Sequence, residues 1–73
     1  MKKLSEVNLH ESVIVQQMHC DANIQKRLRS LGMTQNTRIE VLHKKKNGTC
    51  VIFLRGTRFA LGSAICRQIE VSA

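Results

Sequence analysis

One short segment with a stop signal at each end most constrains the fold of this chain. Within it, Ile24, Leu28 and Leu31 recur at spacings of four and three residues, which places them on one narrow apolar face of an α-helix. Asp21 stands immediately before the segment and is predicted to cap its first turn with a side-chain carboxylate. The pattern therefore predicts a sharply bounded helix over residues 22–31.

The other end of this helix is predicted at Gly32, where a residue in the left-handed conformation commonly ends a helix. Met33 follows, and two interpretations of it are open. Met33 either folds back over the last turn and seals the core, or it belongs to an exposed patch that binds a partner, since methionine adapts to such surfaces. For the basic residues on the helix, a solvated face is the slightly favoured interpretation. The residues of the predicted partner-binding patch are Lys26, Arg29, Leu31, Gly32 and Met33.

The rest of the chain has the patterns of short β-strands. Thr49–Arg55 is apolar on both faces, as expected for a strand central to a small barrel. Asn47-Gly48 indicates a tight hairpin, and Gly56 indicates a second turn. Ser63 is predicted to cap a single helical turn. The other predicted strands are Ser12–Met18, Thr37–His43, Arg58–Gly62 and Gln68–Val71. The predicted fold is mainly β, a small SH3-like barrel of about five strands with one α-helix after the first strand and a short helical turn before the last.

The charge of the chain indicates an acidic partner. Twelve lysines and arginines against five acids give 73 residues a net charge of +7, which attracts phosphate, an anionic membrane surface or an acidic protein face. Lys44, Lys45 and Lys46 form a basic hairpin loop. A nucleic-acid-binding barrel that uses these lysines with Arg55 and Arg58 is one hypothesis. Two phenylalanines with no Trp or Tyr make nucleic acid the less favoured partner, because single strands usually stack on aromatic rings.

Neither catalysis nor a metal centre is predicted. The five acids are scattered and no glycine-rich phosphate loop occurs, so the chain is predicted to be no enzyme. Cys50 and Cys66 are predicted to act as small buried hydrophobic residues. His19-Cys20-Asp21 contains metal-ligating types, but adjacent strand residues point to opposite faces. A metal hypothesis would need His19 together with His10 or His43.

No apolar run approaches the length that crosses a membrane, and the N-terminal residues lack the apolar core of a signal peptide. A cytoplasmic location, in which the thiols of the three cysteines stay reduced, is therefore expected.

Five short motifs recur along the chain at defined positions, namely Leu28-x-x-Leu31-Gly32-Met33, Ile39-x-Val41, Gly56, Ala60-Leu61 and Ile69-x-Val71. Together they resemble the FeoA family, small cytoplasmic SH3-like proteins of bacterial ferrous iron uptake. The resemblance runs from about Leu4 to Val71, and its most specific part is "RLRSLGM" followed at a fixed distance by "IEV". Where the family usually has Pro-Gly, this chain has Gln35-Asn36, and asparagine tolerates the left-handed conformation of that turn.

The resemblance implies that residues 1–73 form one FeoA-like domain. It further implies a non-enzymatic accessory or regulatory protein that needs no cofactor to fold. This protein would contact FeoB, the membrane ferrous iron transporter with a cytoplasmic GTP-binding domain. A related SH3-like domain lies at the C-terminus of some metal-dependent repressors, so a regulatory module of that kind is an alternative implication. These expectations concern fold and partner and leave the oligomeric state open.

Overall fold

The computed structural model describes residues 2–73 and shows six antiparallel strands in one sheet, with two helices. The five longer strands lie where the sequence predicts them. The sixth, β1, is a two-residue strand that pairs with the C-terminal strand β6 and was not predicted. The strands are β1 (Lys2–Lys3), β2 (Ser12–Met18), β3 (Arg38–Lys44), β4 (Cys50–Leu54), β5 (Thr57–Leu61) and β6 (Ile69–Ser72), and the helices are α1 (Ala22–Ser30) and α2 (Ser63–Cys66).

The spatial order of the strands is β1-β6-β2-β3-β4-β5, which leaves β5 at one edge of the sheet. The pairing register shifts twice, between Val15 and Gln17 in β2 and between Val41 and His43 in β3. A bulge bends its strand and increases the local twist. These two irregularities help the single sheet to bend around one core.

The core is formed by the inner faces of the strands together with residues from the helix and the loops. Every second residue of β4 is buried, namely Cys50, Ile52 and Leu54. Phe53, between them, is 39% exposed, so one of the two apolar faces of this strand is open to solvent. Successive side chains of a strand point to opposite faces, and only the inner face lies in the core.

Both predicted caps of α1 are present. The Ile24 backbone N–H donates to Asp21 Oδ1 at 2.9 Å. At the other end Gly32 has φ +100°, and the Met33 N–H donates to the Leu28 carbonyl at 2.9 Å. This six-residue closure is the Schellman arrangement, which satisfies a helix-terminal carbonyl and directs the chain back towards the helix. The helix therefore ends sharply, as the sequence predicts.

The turns follow the predicted positions with two differences in detail. Asn36 adopts φ +71°, as expected for the residue that replaces a family glycine. The Gly48 N–H donates to the Lys45 carbonyl at 2.9 Å and Gly48 has φ +92°, so the glycine follows the turn in a bulge instead of forming a two-residue loop with asparagine. The prediction that Ser63 caps α2 was wrong. Gly62 occupies the N-cap position, without a side-chain cap.

Replacing Asp21 with alanine is expected to lower the free energy of unfolding by about 1 kcal/mol, because the Ile24 N–H loses its acceptor. Urea denaturation followed by circular dichroism measures this change. Asn23→Ala, in the first turn of the same helix, is the control and should not lower stability. An unchanged urea midpoint for Asp21→Ala would show that the cap contributes nothing.

Candidate docking site

An apolar groove with a volume of about 250 Å³ lies between α1, the edge strand β5 and α2. We call it the docking groove. Leu28 in α1 and Leu61 in β5 are buried beside it, while Leu31 at the end of α1 is 50% exposed. The residues that line the docking groove are Ile24, Arg27, Leu28, Leu31, Phe59, Ala60, Leu61 and Ile65.

The position of β5 explains why this groove exists. Phe59 and Leu61 pair with Ile52 and Cys50 of β4, whose side chains point into the core, so both belong to the inner face of the sheet. Because β5 is an edge strand, its inner face lies at the margin of the core, where Phe59 is only partly buried. An apolar strip is therefore left open to solvent beside α1.

The predicted partner-binding patch is only partly assembled at this groove. Leu31 lines it, as a docking residue must. Met33 is fully buried, so the interpretation of Met33 as a surface residue was wrong and the interpretation that it seals the core was right. The reason is the Schellman closure, which turns the chain inward directly after Gly32. Gly32 itself lies against the side chain of Arg55, whose Cδ would be 3.5 Å from a Cβ at that position.

The basic residues of α1 divide between different surfaces. Arg27 lines the docking groove. Arg29 lines a separate polar groove of about 550 Å³ between α1, β2 and the loop before β3, and its Nη2 donates to Gln25 Oε1 at 3.1 Å. Gln25 in turn donates to the Met18 and Cys20 carbonyls. Lys26 is exposed and lines neither groove.

Sequence reasoning missed Phe59 and Ile65 as groove residues. The available signal was that Phe59 is one of only two aromatic residues and stands in a short strand after a glycine turn. Nothing local indicated that β5 would be an edge strand, which is what leaves Phe59 partly exposed.

The basic hairpin lies on the surface, and one of its three lysines makes a hydrogen bond that stabilises the fold. Lys44 Nζ donates to the Ser5 carbonyl at 3.0 Å and so ties β3 to the N-terminal segment. Lys45 and Lys46 are exposed. The tip bends towards α2, since a Cβ at Gly48 would lie 2.7 Å from Ser63 Cβ. The hairpin therefore contributes exposed positive charge mainly through its second and third lysines.

The cysteines have the structural role that the sequence predicts. Cys50 and Cys66 are buried, and all three cysteines are free thiols. Burial, with Cys50 as a neighbour, raises the pKa of Cys66 to about 12. Burial likewise raises the pKa of Cys20. Because the thiolate is the nucleophile and the metal ligand, these thiols are poor at both tasks.

The metal hypothesis finds little support in the geometry. His19 Nε2 lies 3.3 Å from Glu70 Oε2, so its neighbour is an acid of β6 and not a second histidine. Within residues 2–73 no group of three or more His, Cys, Asp or Glu residues is placed to hold a metal ion.

The bent six-stranded sheet, with a capped helix after its second strand, is typical of an SH3-like domain, and solved structures share it. A FeoA protein from Chlorobium tepidum superimposes with a TM-score of 0.89 at 21% identity, over 96% of this chain and 68% of that chain. A manganese-dependent transcriptional repressor matches with a TM-score of 0.90 at 18% identity, over 99% of this chain but only 36% of its own. Identities this low indicate a shared fold. The predicted mainly β, SH3-like class is confirmed.

The family is shown by two further comparisons. The FeoA domain family model matches residues 2–73. FeoA from Stenotrophomonas maltophilia, solved with zinc, is 30% identical with a TM-score of 0.82, over 99% of this chain and 91% of that chain. That protein is described as a procaryotic SH3 domain protein and suggested to be a ferrous iron transport activating factor. The chain belongs to the FeoA family, and the predicted resemblance is confirmed.

Two further findings accompany this assignment. No curated protein matches the chain significantly in sequence. Among the helices of residues 2–73, none is long and apolar enough to span a membrane. The FeoA family is associated with ferrous iron transport and is not a known enzyme family.

Proposed function

We propose that this chain is a cytoplasmic, non-enzymatic accessory protein of ferrous iron uptake that acts by contact with the FeoB transporter. Residues 1–73 would serve as one FeoA-like domain and need no cofactor. Membership of the FeoA family supports the link to ferrous iron transport. The observation that carries the mode of action is the docking groove, because an apolar groove with a half-exposed leucine at its edge suits a protein partner.

The groove has the composition of a protein contact. Leu31 and Phe59 offer apolar surface, and Arg27 places a guanidinium beside them. Aromatic residues and arginine are enriched at the centres of protein interfaces. The net charge of +7 favours a partner segment that combines an apolar anchor with acidic neighbours. We therefore propose that a segment of this chemistry on the cytoplasmic part of FeoB fills the groove.

The likeness to the manganese-dependent repressors supports the regulatory alternative only weakly. Those proteins share the fold at 18–19% identity, and this chain spans 36% and 41% of their length. A role in docking to the transporter therefore remains the better supported proposal.

Leu31→Asp is expected to reduce binding to the FeoB cytoplasmic domain at least ten-fold while the protein stays folded. The substitution places a carboxylate where the apolar anchor of the partner would sit, and Leu31 is half exposed, so the core is not disturbed. Affinity is measured by isothermal titration calorimetry, and folding by urea denaturation.

Leu9→Asp is the matched control for this experiment. Leu9 is 48% exposed, almost the same as Leu31, and does not line the groove. It therefore introduces the same charge at an equally exposed leucine elsewhere. Equal loss of affinity in both variants would mean that only net charge matters. Full binding by Leu31→Asp would rule out the groove as the contact surface.

A further inference from the structure

On the outer face of the sheet formed by β3, β4 and β5, three paired residues lie side by side across the strands. The middle one has an exposed aromatic ring. Glu40 of β3 lies opposite Phe53 of β4, and Phe53 lies opposite Arg58 of β5. Residues directly opposite in neighbouring strands share a face, with Cβ atoms about 5 Å apart. This face points away from the core and therefore away from the docking groove, which lies on the inner side of β5. We call it the β3–β5 face, consisting of Arg38, Glu40, His43, Phe53, Arg55 and Arg58.

The bulge in β3 adds a basic residue to this face. Val41 pairs with Ile52, and both are buried, whereas after the shift His43 pairs with Val51 on the opposite side of β4. His43 is exposed. Without the extra residue, strict alternation would direct position 43 into the core. The bulge thus extends the basic character of the outer face towards the hairpin.

Three arginines lie around the side chain of Phe53. A shallow depression of about 140 Å³ on this face is lined by Phe53, Arg38 and Arg55, among others, and Arg58 is the cross-strand neighbour of the same ring. Phe53 is 39% exposed and the three arginines are exposed. Glu40 contributes an acid, so the face keeps an excess of positive charge.

We propose that the β3–β5 face binds single-stranded nucleic acid, with one base stacked on Phe53 and neighbouring phosphates on Arg38, Arg55 and Arg58. The scarcity of aromatic residues argues against such binding in the sequence. The structure weakens that argument, because one of the two phenylalanines lies on the surface among arginines instead of in the core. A base stacked on an aromatic ring, with cationic side chains tracking the backbone, is the general mode of single-strand binding.

The identity of the cations favours a nucleic acid over an acidic protein face. The strong cations around Phe53 are all arginines, whose planar guanidinium forks match phosphate in a bidentate manner and also stack on bases. The exposed ring adds a surface that every base can cover and that an acidic protein surface does not require. The basic hairpin lies at the C-terminal end of β3, where Lys45 can extend the line of phosphate-binding cations.

The test measures fluorescence anisotropy of a labelled oligothymidylate and oligouridylate of about fifteen nucleotides against the full chain. Binding in the micromolar range is expected, with a log–log salt slope of about −2, since three phosphate contacts each contribute about −0.7 in single strands. Phe53→Leu keeps an apolar side chain but removes the ring and should weaken binding about ten-fold. Phe53→Trp should bind at least as tightly as the wild type.

The charge control is Lys26→Ala, which removes one exposed charge from α1, outside the β3–β5 face. Arg58→Ala should weaken binding by several-fold more than Lys26→Ala. Equal effects of the two, or wild-type affinity in Phe53→Leu, would overturn the proposal. Equally tight binding of duplex DNA would also overturn the proposal, because phosphate charge alone would then explain the interaction. Displacement of the oligonucleotide by polyglutamate at equal charge concentration would overturn it as well, because any acidic chain would then bind.

Discussion

Replacing Met33 with aspartate is expected to unfold the protein and not merely to weaken a surface contact. Met33 is fully buried, directly after the helix end. Losing a buried methionine side chain costs about 2–5 kcal/mol, and a carboxylate enclosed among apolar groups costs several kcal/mol more. A domain of this size has a total stability of roughly 4–11 kcal/mol. Circular dichroism at 25 °C should therefore show loss of the native spectrum.

Met33→Leu is the matched control, since it keeps an apolar side chain of similar volume. It should lower the free energy of unfolding by less than about 1.5 kcal/mol. A folded Met33→Asp variant with a wild-type melting temperature would contradict the burial of this residue. The burial of Met33 determines how a loss of binding is interpreted. Loss of FeoB binding in Met33→Asp would report unfolding, whereas loss in Leu31→Asp reports on the docking groove.

Gly48→Ala is expected to lower the free energy of unfolding by about 2–4 kcal/mol, for two separate reasons. Gly48 has φ +92°, a conformation that costs an L-residue about 1–2 kcal/mol. In addition, the new Cβ would lie 2.7 Å from Ser63 Cβ, so the hairpin tip or α2 must move. Urea denaturation of the variant against the wild type measures the sum.

Two other variants separate these contributions. Gly56 has φ +83° with no atom within 4 Å of a Cβ at that position, so Gly56→Ala reports the backbone strain alone. Adding Ser63→Gly to Gly48→Ala removes the contact and should recover the excess loss, as a double-mutant cycle measures. If Gly48→Ala and Gly56→Ala cost the same, the contact between the hairpin and α2 carries no energy.

The two proposed surfaces lie on opposite sides of β5 and can be tested independently. The docking groove uses the inner side of the edge strand with Leu31 and Phe59, while the β3–β5 face uses the outer side with Phe53 and Arg58. Leu31→Asp should therefore leave oligonucleotide binding almost unchanged. Phe53→Leu should likewise leave FeoB binding unchanged. The failure of either proposal would not affect the other.

The limits of α1, the strand positions and the hairpins could be read from the sequence because they depend on local chemistry. Asp21 caps the helix through an N–H three residues away, and Gly32 adopts a backbone conformation that other residues avoid. The resemblance to the FeoA family rests on the same local motifs. The burial of Cys50 and Cys66 followed from their apolar neighbours, and it too was predicted correctly.

What only the tertiary structure decided is which apolar and basic residues face solvent. Met33 and Leu31 are both apolar and two residues apart, yet one is fully buried and the other half exposed, because the chain reverses at Gly32. Phe53 stands between two apolar residues and Phe59 follows an arginine, yet Phe53 is the more exposed, because the two lie on opposite faces of the sheet. The exposure of the two phenylalanines depends on strand order and on β5 being an edge strand. These are long-range pairings, and no local pattern encodes them.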